Sequence, residues 1–436
     1  MSVQSKRLIT LMAVIFACFN LFAQFVVPVT EGAVADYTMA VSPLAVLDGA
    51  DAAMASEISS ALEKVFDITG YFKILDKRSF LEKPEVAFKA VNFKSWSDVG
   101  AQGLIKGKLG KAKGKDGVEI ELAFFDVAKG KALVQKKYTA SANMVKQSAY
   151  RFAAEVIKNL NGEKMNFMFS KIAFVEKTGG RYNLVVTNFD GSGKKVLYSS
   201  NTTVLLPEWS ADGKKIFFTS HERNNPNLYS IDVKTTQIKT VSVYEGLNVS
   251  ASAYPDNKRV ALCLSKDGNS EIYSLDTTDN QLKRLTVDVG TDTAPSVSPD
   301  GKEMVFVSSR SGNPQIYRMN LADLKVERLT VQGNYNQDPE YSPDGKKVAF
   351  CGRDEKYQFD LFVIDLATGS IERITQNQGK NESPTFSPDG KVIGFSSNRE
   401  GKSKLFLSNV SGTRQISVYS GEGEVLMPSW SPVETN

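Results

Sequence analysis

The sequence predicts an α+β fold: a small N-terminal α/β domain, then an all-β six-bladed propeller closed by its C-terminal strand. Three observations predict it. A Ser-Pro-Asp-Gly turn returns at a nearly fixed period through the C-terminal part of the chain. The stretch before it does not repeat and carries two amphipathic helical patterns among β-rich runs. The first and last members of the repeat are each incomplete, and the two fragments complete one unit, as ring closure requires.

Residues 1–35 read as a signal peptide. Lys6 and Arg7 precede an apolar run from Leu8 to Val29, and Ala33-Val34-Ala35 supplies a small-residue cleavage site, which places the mature start at Asp36. The apolar run also suits an uncleaved anchor, although the placement of the small residues favours cleavage. Cys18 is a poor lipoprotein cysteine, because cleavage before it would leave Phe19 to Val29 as an apolar tail. No second span follows, so the mature chain is expected to be soluble in an exported compartment.

Composition narrows the function. The 436 residues are 42% apolar and 23% charged with a formal charge of +4, which is ordinary for globular domains and gives no footprint for nucleic acid. The single histidine, His221, excludes a His-rich metal site, and a Ser-His-Asp triad unless His221 serves it. It follows a strand end and reads as a loop residue. Of three cysteines, Cys18 leaves with the signal. Cys263 and Cys351 share one repeat register two blades apart, too far for a disulfide, and are expected as free buried thiols.

Residues 36–165 form the N-terminal domain. Asp36 to Val41 alternates weakly; it reads as a strand, or as a disordered or edge terminus able to pair with another protein's sheet. Asp51 caps a helix whose inward face is Met54, Ile58, Ala61, Leu62 and Val65. "YFKIL" is a strand. Leu104 to Leu109 and Val118 to Val127 form a hairpin around a Gly-Lys loop, read as a solvated tip. Val134 to Thr139 is another strand. Asn143 to Leu160 is a second helix, with Val145, Ala149, Phe152, Val156 and Leu160 inward, stopped by Asn161-Gly162.

Residues 166–436 form the propeller. The turn aspartates Asp212, Asp256, Asp300, Asp344 and Asp389 are spaced by 44, 44, 44 and 45 residues. Three positions before each stand Trp209, Ala253, Val297, Tyr341 and Phe386, and Trp430 continues the series. Proline sets the turn, aspartate caps its backbone and glycine takes the left-handed position. Each aspartate is a lone carboxylate, so a structural turn is preferred over calcium. Four short strands per period make a propeller blade. "KIAFVE" at 171–176 lacks a leading strand, and "PSWSP" at 428–432 lacks followers; together they close the ring.

On these residues the chain resembles the TolB family. The N-terminal likeness lies in "PLAVLDG", "ISSALEKVFDITGYFKILDK" and "WSDVGAQGLIKGKL", and the propeller likeness in the repeated turns and terminal "MPSWSP". The resemblance implies a periplasmic, non-enzymatic adaptor of the Tol-Pal system. It would link the peptidoglycan-associated outer-membrane lipoprotein Pal with TolA, and support outer-membrane integrity and invagination during division. It implies a monomer before complex formation, no cofactor, no metal and no catalytic residue. It implies a Pal-binding propeller mouth, here Leu206, Asn248, Thr293, Asn336, Asp338, Glu382, Ser383 and Met427. It also implies a TolA-binding N-terminal segment, here Asp36, Tyr37, Thr38, Met39 and Val41.

Two other classes compete. A propeller peptidase needs an added hydrolase domain with a G-x-S-x-G elbow, for which the N-terminal domain is too small. A carboxylate-only hydrolase needs paired acids on the propeller axis, and the repeat is expected to supply acids at its turns alone. A glycan-binding propeller could stack sugars on Trp209, Tyr341, Phe386 and Trp430, but their fixed register favours packing between blades.

Overall fold

The computed structural model describes residues 37–47, 49–112, 117–222, 225–353, 358–419 and 421–433. The signal peptide, its cleavage site, Asp36 and residues 113–116 of the Gly-Lys loop lie outside them. Among the described residues, no helix is long and apolar enough to cross a membrane.

The N-terminal domain is one sheet covered on both faces. Its strands are β1 (Tyr37–Val41), β2 (Ala45–Val46), β3 (Phe72–Ile74), β4 (Gly103–Lys111), β5 (Val118–Asp126) and β6 (Lys131–Ala140), in the order β3-β1-β4-β5-β6 with β2 also on β4. Helices α1 (Ala52–Thr69) and α3 (Val145–Asn161) pack together on one face, over Met39, Val41, Ile105, Ile120, Leu122 and Phe124. The short helix α2 (Phe93–Asp98) puts Trp96 on the other, against Ala40, Leu104, Ala123 and Phe125. The two residue sets alternate along each strand, as a sheet buried on both sides requires. Asp51 accepts from the Ala53 N–H at 2.8 Å, and Gly70 ends α1 at φ 73°. Val145, Ala149, Phe152, Val156 and Leu160 of α3 are buried as predicted.

One expectation is overturned. Tyr37–Val41 is neither a disordered nor an edge terminus. It is a central strand, paired in parallel with β3 and β4. Met39, Ala40 and Val41 are fully buried, so three consecutive apolar residues face both layers. A strand buried on both sides carries no polar alternation, which is why the pattern looked weak.

The propeller has six four-stranded antiparallel blades. Blade 6 joins the closing strand Glu424–Trp430 to β7 (Lys171–Thr178), β8 (Arg181–Asn188) and β9 (Lys195–Ser200). The inner strands of blades 1 to 5 are Val204–Trp209, Asn248–Ala253, Asp292–Val297, Asn336–Tyr341 and Asn381–Phe386. The repeated turn behaves as its chemistry dictates. Ser298 Oγ donates to Asp300 Oδ1 at 2.7 Å, the Lys302 N–H donates to the same oxygen at 3.1 Å, and Gly301 sits at φ 70°. In the irregular second blade Asn257 takes the glycine's place at φ 57°, a conformation asparagine tolerates. Trp209, Tyr341, Phe386 and Trp430 are buried in inter-strand core, which removes them as sugar platforms. Cys263 and Cys351 are free and buried.

Adjacent blades are latched near the axis. At four of the six junctions, the side-chain oxygen one residue before the aromatic position accepts a backbone N–H of the next blade. Ser252 holds Val297 at 3.0 Å, Ser296 holds Tyr341 at 3.1 Å, Glu340 holds Phe386 at 2.8 Å and Thr385 holds Trp430 at 3.0 Å. At the closure Trp209 Nε1 donates to the Ser429 carbonyl at 3.1 Å, and Trp430 Nε1 donates to Ser170 Oγ at 2.6 Å.

The N-terminal domain docks on the turn end of blades 5 and 6. Asp389 Oδ2 accepts from the N–H groups of Asn166 (2.7 Å) and Phe167 (2.9 Å). Lys391 pairs with Glu163 at 3.0 Å, and buried Asp190 accepts from Tyr150 at 2.9 Å. One apolar cluster runs from Leu62 and Phe152 through Phe167 to Phe174 and Trp430. Asp389 thus serves two purposes, whereas Asp344 caps its own turn alone. Replacing each with alanine tests this. Asp389→Ala is expected to cost about 2–3 kcal/mol in urea unfolding and Asp344→Ala about 1 kcal/mol, because only the former strands charge-assisted bonds across the junction. Equal losses would show that the junction bonds contribute nothing.

Candidate functional site

Each inner strand begins at one mouth of the channel and ends in its turn at the other. The N-terminal domain occupies the turn end, so the mouth where the strands begin is open. Its rim is built from the loops joining successive blades. Three consecutive loops present apolar side chains to solvent: Tyr244 and Leu247, then Val287 (79% exposed) and Val289 (100%), then Val331 (73%). Apolar groups clustered on one rim mark a surface that another molecule covers.

A backbone irregularity shapes the channel below the rim. Every inner strand carries a bulge, at 205–208, 249–252, 293–296, 337–340, 382–385 and 426–429. The first bulged residue is left-handed in all six: Leu206, Ser250, Ala294, Asp338, Ser383 and Met427 have φ between 48° and 56°. A proline follows in five blades, and alanine follows Ser250. Bulges of this kind re-aim side chains. Here they turn Leu206, Asp338, Ser383 and Met427 into a narrow central cavity of about 110 Å³, together with Glu208 and Glu340.

The residues assigned to the mouth by resemblance therefore divide. Leu206, Asp338, Ser383 and Met427 converge on the channel. Thr293 and Glu382 are half-buried beside it, with Glu382 paired to Lys380 at 2.8 Å. Asn248 and Asn336 do not reach the mouth surface as ordinary loop side chains; they are 0% and 3% exposed. Asn248 Oδ1 accepts from Ser242 Oγ at 2.6 Å and the Tyr244 N–H at 2.9 Å, tying loop to strand. Asn336 Nδ2 donates to Gln315 Oε1 at 2.8 Å. Each is the first residue of its inner strand and fastens the inter-blade loop before it. Of the N-terminal segment, Tyr37, Thr38, Met39 and Val41 lie in β1, far from the channel in the fold's layout, and Asp36 lies outside the described residues.

The sequence reading named Asp338 but missed the channel carboxylates Glu208 and Glu340. Acids are not confined to the turns: Glu208 of blade 1 and Glu340 of blade 4 stand on opposite sides of the ring, and Asp338 lies beside Glu340. The signal was available, because the latch register reads Glu208, Ser252, Ser296, Glu340, Thr385, Ser429, with two acids among hydroxyls. Glu208 accepts from Ser429 Oγ at 3.0 Å, and Glu340 accepts from Thr385 Oγ1 at 3.1 Å in addition to its backbone latch. Burial pushes the Glu208 carboxyl up to about 7. Burial, and then the charge of Glu208, push Glu340 up to about 8. Burial, and then the charge of Glu382, push Asp338 up to about 6.

A pH dependence follows. Folded, these groups hold protons that the unfolded chain releases at ordinary carboxyl values, so the native state binds more protons and its stability falls as pH rises. The stabilisation is full below the ordinary glutamate value of 4.5 and is lost as pH passes the native values near 7 and 8. The urea midpoint is expected to drop between about pH 5 and about pH 8, and the Glu208→Gln, Glu340→Gln double variant should flatten that slope. An unchanged slope in the double variant would remove the channel carboxylates as its source.

Comparison with known proteins agrees with both halves of the molecule. Residues 157–434 match the model of the TolB beta propeller domain, and residues 25–133 that of the TolB amino-terminal domain. A curated relative, the Tol-Pal system protein TolB of Desulfosudis oleivorans, is 35% identical over 266 residues, 60% of each chain. That of Anaeromyxobacter dehalogenans is 34% identical over 221 residues, 50% of each. These matches thus span 50–60% of the length of the curated relatives. A crystal structure of TolB from Acinetobacter baumannii superposes with a TM-score of 0.81 at 28% identity, covering 91% of this chain and 97% of that one. With both domain models matched and the propeller model covering more than half of the sequence, the chain belongs to the TolB family.

Proposed function

We propose that the chain is a periplasmic adaptor of the Tol-Pal system that binds a Pal-like, peptidoglycan-associated lipoprotein at its open mouth and a TolA-like inner-membrane protein through its N-terminal segment, supporting outer-membrane integrity and invagination during division. Its TolB relatives are non-enzymatic, and so is this chain. The relatives carry the Tol-Pal system in their names, which makes other envelope proteins its partners.

One observation carries the reading: the mouth away from the N-terminal domain is open and rimmed by exposed apolar residues on three consecutive loops. This mouth offers Val287, Val289 and Val331 around channel groups Asp338 and Met427, with Glu382 at the side, the apolar-and-acidic mixture of a protein-binding face. Asp338 and Glu382 would accept amides or cations of the partner. Thr293, Leu206 and Ser383 flank them. Asn248 and Asn336 act at one remove, by holding the loops that present Leu247 and Val331.

The N-terminal contact takes a particular form in this fold. Met39 and Val41 are buried between β3 and β4, so they can meet a partner only if β1 leaves the sheet. Tyr37 and Thr38 are held with them, and Thr38 N donates to Gln102 Oε1 at 2.9 Å. Asp36 and the chain before it need no such release. Engagement of β1 would couple partner binding to the integrity of the N-terminal domain.

Calorimetric titration with the soluble domain of the same organism's Pal-like lipoprotein tests the reading. One-to-one binding is expected, weakened at least about tenfold by the Asp338→Lys, Glu382→Lys double change and by Val289→Asp. Val289 is fully exposed, so that variant tests the face without threatening the fold. A folded protein that takes up no lipoprotein domain would end this assignment of the mouth.

A further inference from the structure

One residue of each inner strand plugs the junction with the preceding blade. In five blades it is Trp209, Val297, Tyr341, Phe386 or Trp430, each no more than 8% exposed. Val297 is small for the task, and the fully covered ring of Tyr254 joins it between blades 2 and 3. Ala253 holds the same register in blade 2 and is only half-buried. The turn beside it departs from the repeat as well, with Asn257 in place of glycine and Ala211 of blade 1 in place of proline. Asn257 Oδ1 accepts the Asp212 N–H at 2.8 Å and ties the two turns across the junction.

The missing plug leaves a cavity of about 170 Å³ between blades 1 and 2, at the turn end of the ring. Phe217, Val241 and Ala253 form its apolar part. An apolar cavity of about 150 Å³ accepts benzene, so this space suits one substituted ring. Its polar part is basic. Strand alternation sets Lys215 beside Phe217 and Lys239 beside Val241 on the face of blade 1 that looks toward blade 2, with Ser230 between the two strands. Lys258 and Arg259 line the blade 2 side. The acids nearby are already engaged. Asp212 accepts from Ser210 Oγ at 2.8 Å and the Lys214 N–H at 3.1 Å. Asp232, opposite Lys215, accepts from the N–H groups of Lys234 and Thr235. Asp256 pairs with Arg259 at 2.7 Å. Lys239 and Lys258 have no ion-pair partner among the described residues.

The junction of blades 3 and 4 shows how such a space is filled. Its plug, Tyr341, carries its ring across the junction and donates its hydroxyl to Glu303 at 3.4 Å. Glu303 precedes the strand-two residue opposite Val297, and Lys215 holds the same position in blade 1, before the residue opposite Trp209. An acid receives a hydroxyl in one junction; an ammonium in the other calls for an anion. We propose that the cavity between blades 1 and 2 binds an aromatic ring bearing an anionic group, with the ring in the space left by Ala253 and the anion on Lys215, beside Lys239 and Lys258. A free aromatic acid and a chain ending in an aromatic residue share that chemistry. The site lies at the opposite end of the ring from the open mouth, so its occupation does not compete with a protein seated there.

The full chain, labelled at its alanine methyl groups, is titrated with phenylacetate, with the neutral isostere phenylacetamide and with acetate, following the Ala253 methyl by NMR. Phenylacetate is expected to bind in the millimolar range, to shift that methyl, and to exceed each of the other two at least about fivefold. N-acetylphenylalanine, which carries its carboxylate as a chain end does, is titrated alongside; the tighter of the two acids identifies the source of the ligand. Ala253→Phe restores the ring that Phe386 supplies in the same register, so it should fold and should abolish saturation transfer to phenylacetate. Lys215→Gln should reduce phenylacetate to the phenylacetamide level. An Ala253 methyl that no aromatic acid moves, or equal binding of phenylacetate and phenylacetamide, overturns the proposal. So does a folded Ala253→Phe protein that binds phenylacetate as before.

Discussion

The pairing of the closing strand Glu424–Trp430 with β7 is the constraint on which the rest of the molecule depends. A toroid of six blades has no edge once it closes, and two raw edges if it does not. Here Glu424–Trp430 completes the blade begun near residue 171, and that blade, together with blade 5, carries the N-terminal domain. Trp430 binds both sides of the junction, with its N–H on Thr385 of blade 5 and its indole on Ser170 before β7. The ring of side-chain latches then sets the spacing of the inner strands. Channel width, mouth rim and domain placement therefore follow from a contact between residues some 260 apart in sequence.

Much of this was legible because turn chemistry is local and the period repeats it. Asp300 and Gly301 need nothing beyond their neighbours to specify a turn, so five copies revealed the blades and the two fragments revealed the closure. The helices were legible for the same reason: Asp51 and Gly162 are caps, and Phe152 and Val156 sit at helical spacing. What escaped was decided by non-local contacts. Tyr37–Val41 looks like a tail until β3 and β4 bury both its faces. Asn248 and Asn336 look like mouth loops until their amides are seen fastening the strand starts. Glu208 and Glu340 belong to a register otherwise held by serine and threonine, and their place on the axis appears only when six strands are set in a circle.

A symmetrical ring puts each register at six equivalent places, so departures from the repeat are where specificity can reside. The latch position needs an acceptor, which serine supplies. Glutamate supplies it too, but brings a carboxyl into a poorly solvated channel that raises its proton affinity. The left-handed bulge position is served by serine or alanine in some blades; Asp338 and Met427 give the same backbone a charge and a flexible apolar group. Blade 4 gathers two departures, with Asp338 and Glu340 in one unit. A surface that must bind another protein in a single orientation needs such asymmetry, because six identical blades would offer six equivalent dockings.

Native-state hydrogen exchange tests the central claim of closure most directly. If the closing strand locks ring and N-terminal domain into one cooperative body, the amides of Val425 and Trp430 will exchange only through global unfolding, with the same opening free energy as those of the inner strands of blades 2 to 4. Faster exchange of Glu424–Trp430 and β7 through a separate, smaller opening, with the other inner strands still protected, would contradict it and make blade 6 a detachable seam.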